Sequence, residues 1–142
     1  MCAQLPRGKG FWPAFWLLPK RDAWPPEIDV VEASGERPFS IHHGVIEKKA
    51  APGASGAWIR DIADLTDGFH YYGCEWTEAK ISFFVDGRKT FEYGPHGLHE
   101  DMYLLANLAV GSRDPSWIPE PDSSTPFPGE YRIDYIRAYQ RR

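Results

Sequence analysis

Cysteine is scarce in this chain of 142 residues: Cys2 and Cys74 are the only two. They lie far apart with no Cys-x-x-Cys spacing, which excludes a disulfide-stapled scaffold and a thiolate zinc site, and a bridge between them is not expected. No run of 18 apolar residues occurs, so no membrane-spanning helix is expected. Basic charge is not in excess. Lys and Arg number 16 against 20 Asp and Glu, for a net charge of −4, which argues against nucleic acid or an anionic membrane as a partner and suits a neutral ligand. The opening MCAQLPRGKG lacks the apolar segment of a signal peptide. Gly-x-Ser-x-Gly is absent, so no hydrolase nucleophile elbow is present. Nor does any long segment hold the 3.6-residue apolar repeat of an amphipathic helix.

Aromatic residues are abundant instead, at 15%, with six Trp, and Gly and Pro, thirteen each, punctuate short apolar runs. Strands are expected at Phe11–Leu18, Ile28–Val31, Phe39–Gly44, Ala57–Leu65 and around Cys74, whose YGCEW setting reads as a plain strand rather than a nucleophile site. Lys80–Val85 and Arg88–Tyr93 flank Asp86-Gly87, a strong hairpin signal. MYLLANLAV, Met102–Val110, fits a strand buried on both faces, with a buried helix as its rival. Glu130–Gln140 alternates aromatic and charged positions, and Pro115–Pro128 reads as a long irregular loop of the kind that often serves function. The class is all-β, a sandwich of two antiparallel sheets in one domain.

The stretch EIDVVE places Glu27, Asp29 and Glu32 within six residues. In a regular strand Glu27 and Asp29 share a face and Glu32 points away. A β-bulge at Val30–Val31 would reset the alternation and bring all three together. Glu27 and Glu32 would then stand about 13 Å apart at Cα. Side chains leaning inward could bring their carboxyl groups toward the roughly 5–5.5 Å used by retaining glycosidases. The spacing alone is weak evidence, and acids also protect exposed strands. The neighbourhood favours a site: Trp24-Pro25-Pro26 precedes the acids, and Trp12 and Trp16 share one face of an aromatic strand. Those rings either pack a core or stack on sugars. His42 and His43 are adjacent on a strand and face opposite ways, so with His70 they do not make a metal site. Asn107, polar within an apolar run, is either buried with partners or lines a cleft.

WPAFWLLP, WPPEIDVVE, FHYYGCEWTEAKISFFVDGR, YLLANLAVG and YRIDYIRAYQ occur in that order, and together they resemble glycoside hydrolase family 16, in its bulged ExDxxE branch of laminarinase-like and bacterial endo-β-glucanases. The resemblance runs over nearly the whole chain. It implies a β-jelly-roll and a retaining endo-hydrolase of β-1,3-glucan, mixed β-1,3-1,4-glucan or a related bacterial exopolysaccharide. A non-catalytic glycan-binding module on the same fold is the alternative. By motif position Glu27 resembles the nucleophile, Glu32 the acid/base, and Asp29 the acid between them. Trp12, Trp16 and Trp24 match aromatics of the sugar subsites, and His42, Trp76 and Asn107 match other cleft-lining positions. No cofactor is required, but a structural calcium is implied, with Asp134 matching one ligand. The family also implies an extracellular or periplasmic location. Because such domains are longer, residues 1–142 are expected to form the C-terminal portion of one catalytic domain, incomplete at its N-terminus. Sheet edges left exposed would then favour self-association.

Overall fold

The computed structural model describes residues 1–21, 23–48 and 56–140, and no helix occurs among them. Ten strands follow in order: β1 (Cys2–Gln4), β2 (Phe11–Pro19), β3 (Glu27–Glu32), β4 (Ser40–Ile46), β5 (Gly56–Arg60), β6 (His70–Trp76), β7 (Ile81–Val85), β8 (Arg88–Tyr93), β9 (Met102–Val110) and β10 (Arg132–Tyr135). They form two five-stranded sheets, β10-β1-β6-β7-β8 and β5-β4-β3-β2-β9. Every pairing is antiparallel. This is the expected sandwich.

Local chemistry sets several boundaries. Asp86 and Gly87 both have positive φ, 50° and 77°, and Val85 faces Arg88, so the expected two-residue hairpin turn joins β7 to β8. β5 stops at Arg60, short of the expected Leu65, where Asp61 takes a φ of 58° that a strand cannot continue. β10 spans Arg132–Tyr135 rather than Glu130–Gln140. Its recorded neighbour is the three-residue β1, and only three register pairs join them. β1 itself is too short to show any alternation in the sequence.

The core fills the space between the sheets. Phe15, Ile28, Val30, Val31, Ile41 and Val45 from one sheet meet Tyr72, Ile81, Phe83 and Val85 from the other. Period-two alternation explains β2: Phe15 is buried while Trp12 and Trp16 are only half-buried. β9 departs from expectation. It is not buried on both faces but lies at the edge of its sheet, paired on one side with β2, with Tyr103, Leu104 and Val110 exposed. An apolar run signals a covered strand only if something covers it, and among the described residues nothing pairs with the far side of β9. Both cysteines are free thiols.

Candidate active site

The acidic strand is irregular at the expected place. Against β4, Asp29 pairs with Gly44 and Glu32 with His42, so Val30 and Val31 together stand opposite the single residue His43. Against β2, Trp16 pairs with Asp29 and Phe15 with Val31, and Val30 is skipped again. Two residues opposite one define a β-bulge. Both valines are buried, at 1% and 0% exposure, and both belong to the core cluster. Burying this pair offsets the two-residue period, and Glu32 joins Glu27 and Asp29 electrostatically: both glutamates act on the Asp29 carboxyl.

Asp29 is the buried member, at 3% exposure. Burial above all, then the charges of Glu32 and Glu27, and then a hydrogen bond with Glu27, hold its carboxyl well above the usual carboxylate range. Asp29 therefore carries a proton at neutral pH and donates it to Glu27. Glu27 also accepts the Trp24 indole N–H at 2.7 Å through Oε2. Two donors thus fix one half-buried carboxylate. Space for Asp29 comes from Gly44: a Cβ built there would lie 2.5 Å from Asp29 Oδ2. Gly44→Ala is accordingly expected to push Asp29 from its seat and lower turnover by on the order of 10²-fold, the usual penalty for about 1 Å of misplacement. Steady-state kinetics beside a thermal melt would check it, and unchanged kinetics would show that the close approach is without consequence.

At the other end of the row, His42 Nδ1 lies 3.2 Å from Glu32 Oε2. This contact serves whichever of the two groups holds the proton. Around His42 stand two aromatics that sequence reading did not single out. The His42 ring is 4.8 Å from that of Trp117 and 5.5 Å from that of Trp58, and the two indoles are 4.9 Å apart. Arg37 ties this corner together. Its guanidinium stacks 5.3 Å over Trp58 and donates to the Ser116 and Trp117 carbonyls at 3.1 and 2.8 Å. Trp117 sits in the long Pro-rich loop, which was legible as a loop of functional type. The pairing of Trp58 with His42 is a matter of register, which no local pattern reveals.

The other expected residues divide. Trp16 donates its indole N–H to Asn107 Oδ1 at 2.7 Å, so β2 and β9 present a linked polar pair beside Asp29, and Asn107 is exposed rather than buried. Trp24 is 63% exposed and touches Glu27. Trp12 lies farther along β2, opposite Ala109, and its buried Nε1 has no partner. Trp76 does not join the acids. It ends β6 in the other sheet, packs against the core and meets His96 edge-on at 6.5 Å. Asp134 is exposed on β10, and among the described residues no group of three or more His, Cys, Asp or Glu gathers around it. His43 and His70 are likewise engaged with protein partners: His43 with Val30 and Thr90, His70 with Asp64 and Asp86.

Glu27 and Glu32 are half-buried on the sheet face, with Asp29 buried between them. Two concavities elsewhere, one lined by residues including Leu5, Pro13 and Thr66 and one by Lys20, Arg21, Glu100 and Asp101, contain none of the three. A sheet face with carboxylates flanked by indoles at both ends suits an extended, neutral polymer better than a small ligand.

Comparison with known proteins bears on the family and the fold. Residues 1–137 match the family model "Glycosyl hydrolases family 16". The chain is 37% identical to the endo-1,3-1,4-beta-glycanase EglC of Rhizobium meliloti over 98% of its own length and 29% of that protein. With a Rhodothermus marinus beta-glucanase it shares 32% identity over 97% of this chain and 55% of that one. A laminarinase structure from a Flavobacterium species superposes with a TM-score of 0.84 at 33% identity, covering 98% of this chain and 64% of that chain. The chain thus spans less than two thirds of the proteins it matches, yet almost all of it is matched. The jelly-roll sandwich, the bulged acidic strand and the family match make this chain a member of glycosyl hydrolase family 16, a family of glycosidases.

Proposed function

We propose that this chain carries the catalytic row of a retaining, endo-acting β-glucanase for β-1,3- or mixed β-1,3-1,4-glucan or a related bacterial exopolysaccharide, and that it forms the C-terminal portion of that catalytic domain. The observation that carries this reading is the bulge, which gathers three acids in an order suited to double displacement. Glu27, held by Trp24 and by the Asp29 proton, attacks the anomeric carbon. Glu32 protonates the departing glycosidic oxygen, and a covalent glycosyl-enzyme forms. Glu32 then takes a proton from water, which attacks the same carbon and releases Glu27, so two inversions give net retention. Asp29 stays protonated throughout and keeps the nucleophile oriented. Trp12, Trp16, Trp24 and Asn107 bind sugar rings beyond one end of the row. His42, Trp58 and Trp117 bind them beyond the other. The polymeric substrate places the site outside the cytoplasm, in the extracellular or periplasmic space.

The experiment is hydrolysis of laminarin, lichenan and defined oligosaccharides, with the anomeric protons of fresh product followed by NMR. β-Anomer appearing first, followed by mutarotation, supports the reading, and α-anomer appearing first would refute retention. Tight binding with no product would identify a glycan-binding module instead. The edge strand adds a second expectation. β9 carries no charged side chain and leaves Tyr103, Leu104 and Val110 exposed along an edge that no strand among the described residues pairs with. The chain is therefore expected to self-associate with rising concentration, and Leu104→Lys to reverse this. Light scattering would check it, and concentration-independent monomers for both proteins would refute it.

A further inference from the structure

The bulge poses a problem that the acids do not solve. Val30 pairs in neither of its two registers, although it is only 1% exposed. A buried carbonyl without a partner is costly. One side chain meets that of Val30. His43, the residue opposite the two valines, places Nδ1 2.8 Å from the Val30 oxygen. His43 is fully buried and its ring lies nearly parallel to Phe83, with centroids 4.9 Å apart and planes 24° apart. Its far nitrogen, Nε2, lies 2.9 Å from the Thr90 hydroxyl on β8, in the opposite sheet, and that hydroxyl is 3.1 Å from the Phe83 carbonyl. A carbonyl can only accept, so Nδ1 bears the hydrogen. Burial drives the ring's pKa down to about 4, so it is neutral, and Nε2 and the Phe83 carbonyl share the single hydroxyl hydrogen of Thr90. The ring is a strut from the second sheet, through the core, to the backbone of the bulge.

We propose that His43 is a positioning residue: its Nδ1–H bond to the Val30 carbonyl holds the bulge and thereby keeps Glu32 on the face of Glu27 and Asp29. Without the bond, β3 is free to return to regular pairing, and a one-residue change of register turns a side chain to the opposite face. This deepens the reading of the three acids as a catalytic row and rests on it, but its test does not need turnover.

The probe is Asp29 itself. Glu27 and Glu32 are the charged groups acting on it, while Trp16 and Gly44, its register partners on β2 and β4, carry no charge. Asp29 is followed by carboxyl ¹³C NMR across pH in wild type and in three variants, its signal assigned with Asp29→Asn. In His43→Leu the loss of Glu32 from the row is expected to lower the Asp29 midpoint by about one unit or more. In His43→Asn the side-chain amide N–H sits near the position of Nδ1, and the midpoint should stay at the wild-type value. In His43→Gln the amide reaches toward Thr90 instead, and the midpoint should fall as in His43→Leu. If His43→Leu does not fold, the Asn and Gln pair decides the matter. Equal midpoints in that pair overturn the proposal. So does a wild-type midpoint in folded His43→Leu, or a His43→Asn protein that does not fold. Where glucan turnover is measurable, kcat should fall about 10²-fold in His43→Leu with KM little changed, and His43→Asn should recover it. Failure of the hydrolysis reading would leave the titration standing, because it reports geometry alone.

Discussion

Glu27→Gln is expected to reduce kcat on laminarin or lichenan on the order of 10⁴-fold, the scale seen when one member of a nucleophilic constellation is removed. The replacement is nearly isosteric. Its amide oxygen still accepts from the Trp24 indole, which lies 2.7 Å from Oε2 in the wild type. The side chain is half-buried at the start of β3 and is not among the buried residues of the core. Melting should therefore change little. What disappears is the carboxylate that forms the glycosyl-enzyme, so the loss should fall on chemistry rather than on substrate binding. Glu32→Gln should differ in kind. Substrates with good leaving groups, such as aryl glycosides, need no protonation, and for them the nucleophile still reacts. Trapped glycosyl-enzyme should then accumulate and be released by added azide. Turnover of Glu27→Gln within tenfold of wild type would remove Glu27 from the nucleophile's role, whatever the family.

Phe83→Ala is expected to carry the largest stability cost, about 3–5 kcal/mol, set against the 5–15 kcal/mol that ordinarily holds a domain together. The ring has no solvent exposure. It packs against the His43 ring at 4.9 Å and against Phe91 at 5.7 Å. Deleting it opens a cavity directly beneath the strut that meets the bulge. The sheet above cannot collapse into that space without moving His43, so relief of the cavity is limited and the cost should approach the upper end. Urea titration of wild type and variant would measure the difference. A cost below about 1 kcal/mol would mean that the sheets repack freely, and the rigid-strut picture would fail with it.

Period-two alternation and turn chemistry made most strands readable. The Asp86-Gly87 turn and the Phe15 face of β2 follow from local residues, and so did the bulge, since consecutive valines between three acids have few other uses. What depends on remote partners was not readable. Whether Met102–Val110 lies at the middle or the edge of a sheet depends on which strands adjoin it, not on its own side chains. Trp76 was expected in the cleft only through the family resemblance, and it ends β6 in the other sheet. Trp58, Trp117 and Arg37 meet at His42 through a strand register and a loop path, and neither leaves a short-range signature. His43 is the sharpest case: its sequence neighbour His42 touches the acids, while His43 itself faces the interior and meets the backbone behind them.

The doubled valine also sets a rule of arithmetic for this segment's length. A pleated chain repeats its orientation every two residues, and a bulge absorbs one residue beyond that count. Deleting one of the two valines would remove the extra residue and leave Glu-Ile-Asp-Val-Glu, a regular alternation that still turns all three acids to one face without a bulge. Homologues and engineered libraries should therefore keep small apolar residues at positions 30 and 31, both buried, yet accept a single-codon deletion there, with the shortened strand losing its bulge.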